Sequence, residues 1–154
     1  MIQSEREMAR PKTHRLIHTP PLYKGFKPIG ARGRDLETLE MSIDEYESLR
    51  LADFEGLNQE EAAEEMDISR STFARLIESA RRKSSQFFIQ GKRLVIGGGS
   101  VHFKENLVQC HDCHHIFVVQ MGEKLESCHA CGSTNLIDLA GGFGHGQCCR
   151  DSRN

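Results

Sequence analysis

Six cysteines fall between Cys110 and Cys149, and none precedes them. Four of them make two C-x-x-C pairs, Cys110-His-Asp-Cys113 and Cys128-His-Ala-Cys131, with fourteen residues between the pairs. That separation is close to the roughly 15 to 20 residues that part the two halves of many zinc sites. Each pair offers two thiolates from a tight turn, and Zn2+ takes four such ligands tetrahedrally, with no open position in a structural site. The reading is one Zn2+ per chain on Cys110, Cys113, Cys128 and Cys131. His111, His114, His115 and His129 crowd the same turns, and a histidine in place of one cysteine is chemically acceptable. The simpler set is the four cysteines, with the histidines exposed around them. A thioredoxin-like redox role would need βαβ surroundings that this pattern lacks.

A second group could read nucleic acid. Arg70, Ser71, Thr72 and Arg75 take the first exposed positions of a helix that starts after Ser69. Arginine pairs with guanine edges, and hydroxyls donate or accept. Arg81, Arg82 and Lys83 lie further along, where phosphate contact is the expected role. The plainer alternative for all seven is the solvated face of a three-helix packing unit.

Helices must position these side chains. Ser42 with Glu45 three residues on makes a capping box before Ile43, Tyr46, Leu49 and Ala52, and Gly56 ends that helix. Asn58 and Glu61 open a second, short helix with Ala62, Ala63 and Met66 on one face. Asp67 can take the left-handed conformation of a tight turn, Ile68 plugs the core, and Ser69 caps the third helix. Its stripe is Phe73, Leu76, Ile77 and Ala80, and the spacing reaches Phe87 and Phe88 before Gly91, with a break at Ser84 and Ser85 as the alternative. Two capped helices joined by a tight turn form the unit whose later helix enters the major groove. Beyond it, Leu94 and Ile96, then three glycines, then Val101 and Phe103 read as a β-hairpin. Between the cysteine pairs Ile116, Phe117, Val118 and Val119 form one strand and residues 136–139 another, giving a small zinc ribbon.

The net charge of −2 conceals segregation. From Asp35 to Asp67 the chain is acidic but for Arg50, whereas Arg70 to Arg93 holds seven basic residues against Glu78. Residues 10–34 hold seven Lys and Arg and no acidic residue, and all four prolines of the chain lie between residues 8 and 34, so this stretch reads as an extended arm.

The run from Asp53 to Lys83, DFEGLNQEEAAEEMDISRSTFARLIESARRK, resembles the helix-turn-helix of sigma factor region four, with Asp67 where that turn commonly has glycine. With MARPK at 8–12, IDEYESLRLADFEGL at 43–57 and GKRLVIGGG at 91–99, residues 8–103 resemble uncharacterised protein family 0251, a family of predicted DNA-binding proteins. The resemblance implies DNA binding without naming a target, and residues 1–7 read as an upstream extension. SCHACGSTNLIDLAGG is similar to the second knuckle of zinc ribbons and of hydrogenase nickel-insertion accessory proteins.

The expected architecture is a mainly α helix-turn-helix domain plus a small β zinc ribbon. Its parts are a basic arm at 1–34, the DNA-binding domain with its hairpin at 35–103, the ribbon at 104–140 and a Gly/Cys-rich flexible tail at 141–154. In the tail, the alternative is a second labile metal or redox site at Cys148 and Cys149. No apolar run approaches the roughly 18 residues of a membrane helix, and no secretory signal opens the chain, so a cytoplasmic location is expected. No nucleophile motif or phosphate-binding glycine loop points to an enzyme. The function expected is sequence-specific binding of double-stranded DNA by a transcriptional regulator, as a homodimer paired through residues 84–103. The alternatives are a metal-sensing or metal-handling protein and a sigma-like adaptor on RNA polymerase.

Overall fold

Three side-chain caps set the helical part. The computed structural model describes residues 14–145 together with 148 and 149; MARPK and the rest of residues 1–13 lie outside it. Ser42 N–H donates to Glu45 Oε2 at 3.0 Å and Glu45 N–H returns to Ser42 Oγ at 3.4 Å, opening α1 (Ile43–Leu49). The same box between Asn58 and Glu61 opens α2 (Gln59–Glu65). Ser69 Oγ accepts the Thr72 amide at 3.2 Å at the start of α3 (Arg70–Gln90). α3 runs through Ser84 without a break, the Ser84 hydroxyl bonding back to the Ala80 carbonyl at 2.9 Å, and it ends at Gly91 with φ 62°. α1 runs on into a π-helical turn, Arg50–Phe54, before Gly56 at φ 77°.

α1 and α2 both pack on α3. Ile43, Leu51, Ala62, Ala63 and Met66 close over Phe73, Ile77 and Ala80. Phe73 is fully buried, so its truncation to alanine would cost about 3–5 kcal/mol.

The fold is mixed α/β, which corrects the mainly α expectation. Five strands accompany the helices: β1 (Arg15–Ile17), β2 (Gly25–Phe26), β3 (Thr38–Met41), β4 (Arg93–Ile96) and β5 (Val101–Phe103). β4 is the centre of one sheet, antiparallel to β2 and parallel to β3, while β5 pairs with β1 in parallel. Two to four residues are too few to display the alternation that marks a strand, and each partner lies far away in the chain. The residues read as an arm supply β1 and β2, with Ile17, Pro20 and Pro21 in the interior.

The expected hairpin of β4 and β5 does not form, since the two strands belong to different sheets. Gly98 and Gly99, at φ 75° and 94°, turn the chain across α1, where Gly98 O accepts the Ile43 amide at 3.3 Å. Leu94, Ile96, Val101 and Phe103 are consequently buried within the chain and supply no pairing surface.

A third sheet follows, of β6 (Glu105–Cys110), β7 (Ile116–Gln120) and β8 (Leu136–Asp138), antiparallel in the order β7-β6-β8. The central strand was not expected: its inward residues are Asn106, Val108 and Cys110, two of them not aliphatic. Val108, Cys110, Phe117, Val119 and Cys128 form this sheet's own core. Asp138 caps the short α4 (Leu139–Gly142). No helix among the described residues is long and apolar enough to cross a membrane.

Candidate functional site

The two cysteine pairs sit on turns of matching construction. In the first, Cys110 N–H donates to His115 O at 2.9 Å, and His114 N–H returns to Cys110 O at 3.0 Å. In the second, Cys128 N–H donates to Ser133 O at 2.8 Å, and Gly132 N–H returns to Cys128 O at 3.0 Å. His114 and Gly132 occupy equivalent places, both left-handed at φ 63° and 77°. Glycine adopts that conformation without strain, whereas histidine is an uncommon occupant. Asp112 and Ser133 hydrogen-bond across the turns.

The turns bring all four sulfurs within 4.8 Å of one another. Cys110 Sγ lies 3.6 Å from Cys131 Sγ and Cys113 Sγ 3.6 Å from Cys128 Sγ. A Zn–S bond of about 2.3 Å implies tetrahedral edges of about 3.8 Å, so the set fits a four-coordinate ion with little rearrangement. The Cys131 amide, together with Ala130 N–H and the facing thiols, pulls Cys128 down to about 7 against the opposing effect of burial. The Ser133 amide acts the same way on Cys131, but the thiols of Cys110, Cys113 and Cys128 outweigh it and push Cys131 up to about 12. Four thiols this close cannot all ionise by themselves; a bound cation removes that conflict. The cluster can therefore hold a metal ion.

The four histidines of this region are exposed around the turns. His129 stacks on Phe117 at 4.2 Å and His115 at 5.8 Å, so these two rings cover an apolar residue beside the sulfurs.

At the start of α3, Met66 closes α2, Asp67 takes the left-handed conformation at φ 53°, and Ser69 caps. Arg70, Ser71 and Arg75 are exposed and Thr72 half-buried. The basic residues of α3 differ sharply in what holds them. Arg81 grips Asp53 through two bonds of 2.8 and 3.1 Å, which keep that carboxyl below its ordinary range. Arg82 pairs with Glu78 at 3.2 Å and Arg70 loosely with Glu60 at 3.6 Å. Lys83 turns toward α1 and bonds Glu45. Arg75 is the one basic residue of α3 with no ion pair among the described residues, and it shares a shallow concavity with Arg15 and Thr72.

Sequence reasoning missed Arg15 as a neighbour of this face, because the register that brings β1 against β5 is a non-local pairing. It also missed His102, whose alternation between buried Val101 and Phe103 was visible but tied to no motif.

The family described as "Protein of unknown function DUF134" matches residues 4–104. A UPF0251 protein of Prosthecochloris aestuarii is 43% identical over 147 residues, 90% of this chain and 94% of the relative. One from Chloroherpeton thalassium is 42% identical over 132 residues, covering 86% and 87%, and one from Moorella thermoacetica 39% identical over 146 residues, covering 95% and 96%. Alignments of this length run past residue 104 into the cysteine-bearing segment. The chain belongs to the UPF0251 family, also described as DUF134.

Proposed function

We propose that the protein binds double-stranded DNA sequence-specifically as a transcriptional regulator, using α2, its turn and α3 as a helix-turn-helix, with the third sheet as a ribbon around one structural Zn2+. The observation that carries this reading is the outer surface at the start of α3. A cap, a left-handed turn residue and a short preceding helix present Arg70, Ser71 and Thr72, and Arg75 stands there without an ion pair among the described residues. Four exposed or half-exposed donors on the first two turns of a helix are the set that a major-groove helix needs.

Arg81 and Arg82 serve as phosphate contacts in this reading, since exposed ion pairs are weak enough to exchange for phosphate. Lys83 drops out of that role because Glu45 holds it against α1. The formal charge of −2 does not describe the face at the start of α3, where Arg70 and Arg75 are both exposed. For the metal, four thiolates with two edges of 3.6 Å suit Zn2+ better than hard cations, which take oxygen ligands.

The test is selection of binding sites from a random duplex pool by the purified full chain. Enrichment of one motif, lost in Arg75→Ala, is expected. Recovery of the random pool unchanged would refute the reading.

A further inference from the structure

The second cluster of metal-binding side chains gathers beside β5, with Cys149 packed into the same core as the helices. His102, between inward-facing Val101 and Phe103, is half-buried there. The partner side chains arrive from beyond the third sheet. Asn106 on β6 accepts the Ala140 amide at 2.9 Å and donates to Asp138 at 2.6 Å, fixing α4. Gly144, at φ 77°, then reverses the chain, and His145 N–H bonds Ala140 O at 3.0 Å. His145 meets the Phe103 ring edge to face at 4.9 Å, and Cys149 is buried with its sulfur accepting the Phe103 amide at 3.4 Å.

We propose that His102, His145, Cys148 and Cys149 form a second metal centre, a Cys2His2 site for a borderline-soft divalent ion of the Zn2+ class. All four donor atoms lie within 4.8 Å of one another. His145 Nδ1 is 3.3 Å from Cys148 Sγ and 3.6 Å from Cys149 Sγ, the two sulfurs are 3.7 Å apart, and Cys149 Sγ is 3.7 Å from His102 Nδ1. Zn–S and Zn–N bonds of about 2.3 and 2.0 Å give tetrahedral edges of about 3.8 Å between sulfurs and about 3.5 Å between sulfur and nitrogen. Four of the six edges are therefore already near their liganded lengths. Packing alone has no reason to bring His102 of β5 against the local group of His145, Cys148 and Cys149 with these separations. The Phe103 N–H bond to Cys149 is the kind of outer contact that steadies a ligating thiolate.

Occupied, the centre ties His145, Cys148 and Cys149 to β5 and closes a loop that contains the entire third sheet. β5 is in register with β1, whose Leu16 amide bonds Met66 O at 3.0 Å at the end of α2. The metal thus fastens the cysteine-rich end to β5, whose partner β1 abuts the proposed helix-turn-helix. This inference does not depend on DNA being the ligand of α3.

The experiment is metal counting on the full chain, purified under reducing conditions, by native mass spectrometry and by Co2+ titration followed through sulfur-to-cobalt absorption. Two equivalents are expected for the unaltered chain. One is expected for His102→Ala and for Cys148→Ser, both at positions not fully buried, with helical circular dichroism retained. Cys113→Ser should remove the other equivalent and leave the His102-dependent one. The proposal is overturned if His102→Ala and Cys148→Ser hold as much metal as the unaltered chain, whatever the count at the first cluster.

Discussion

Lys83 Nζ donates to both carboxylate oxygens of Glu45, at 3.0 and 2.8 Å, and so joins the middle of α3 to the first turn of α1. Ser79 adds a third bond to the same carboxylate at 2.7 Å. The neighbouring acidic residues are held in the same manner. Asp44 pairs with Arg15 of β1, while Glu47 takes two bonds of 2.8 Å from Arg50 and one of 3.1 Å from the His18 amide. Three residues of the acidic run from Asp35 to Asp67 are thus an internal clamp on α1.

Lys83→Ala should therefore lower stability and leave DNA recognition by the folded protein unchanged. Removing one partner of a buried pair costs about 3–5 kcal/mol, and an exposed pair is worth at most about 1 kcal/mol. Glu45 is 10% and Lys83 29% exposed in their side chains, so about 2 kcal/mol is expected in urea unfolding. A weaker salt dependence of DNA binding with unchanged stability would return Lys83 to the phosphate role.

Glu45 also makes stability depend on pH in a defined direction. Burial opposes its ionisation, but the bonds from Lys83, Ser79 and Ser42 prevail and hold the carboxyl below its usual 4.5. A depressed folded value contributes stability that is present above the unfolded value and is lost as pH falls through the folded one. Thermal unfolding followed by helical circular dichroism should show a midpoint falling below about pH 4.5, with a shallower fall in Glu45→Gln.

How much was legible follows from how local each signal is. Ser42, Asn58, Ser69, Asp67 and Gly91 are read from neighbours within four residues, and each stands where its side chain or backbone preference put it. The cysteine pairs were equally plain, since spacing alone defines the turns. The pairing of β3 with β4, of β1 with β5, and of Arg15 with Asp44 depends on chain segments that meet only after the core has closed. His102 failed for the same reason: nothing near it in sequence resembles the second half of a ligand set, which lies beyond the whole third sheet.

Arg75→Ala should relax sequence preference and weaken the specific site by about 1–3 kcal/mol, with little effect on random duplex. Arg82→Ala should weaken both equally and reduce the slope of affinity against salt by about one unit. Fluorescence anisotropy titrations at several salt concentrations separate the two patterns, and identical behaviour of both variants would mean that the face is misassigned.

Cys128→Ser removes one of four sulfurs and a buried member of the third sheet's core. Structural zinc sites contribute about 10–16 kcal/mol of apparent binding energy that becomes folding energy, so this sheet should unfold. The helices, with a separate core, should survive. Limited proteolysis should cut between residues 104 and 140 in the variant or in chelator, and resistance there after complete metal removal would show that the sheet does not need the ion.

The final prediction concerns pairing of two copies. One helix-turn-helix reads few base pairs, and a two-fold dimer sets two recognition helices about 34 Å apart in successive major grooves. Of the apolar residues expected to form the contact, Leu94, Ile96, Val101 and Phe103 are spent on the chain's own core. Phe88 and Ile89, 77% and 85% exposed at the end of α3, remain, with Phe87 packed edge to face against Phe88 at 5.0 Å. Aromatic and aliphatic side chains this exposed on a long helix gain from mutual burial, about 25 cal/mol for each Å² removed from water. Light scattering at micromolar concentration should report a dimer, and Phe88→Asp a folded monomer with weaker binding to a two-half-site duplex. A wild-type monomer that binds one undivided site as tightly would show that α3 ends in a surface with another use.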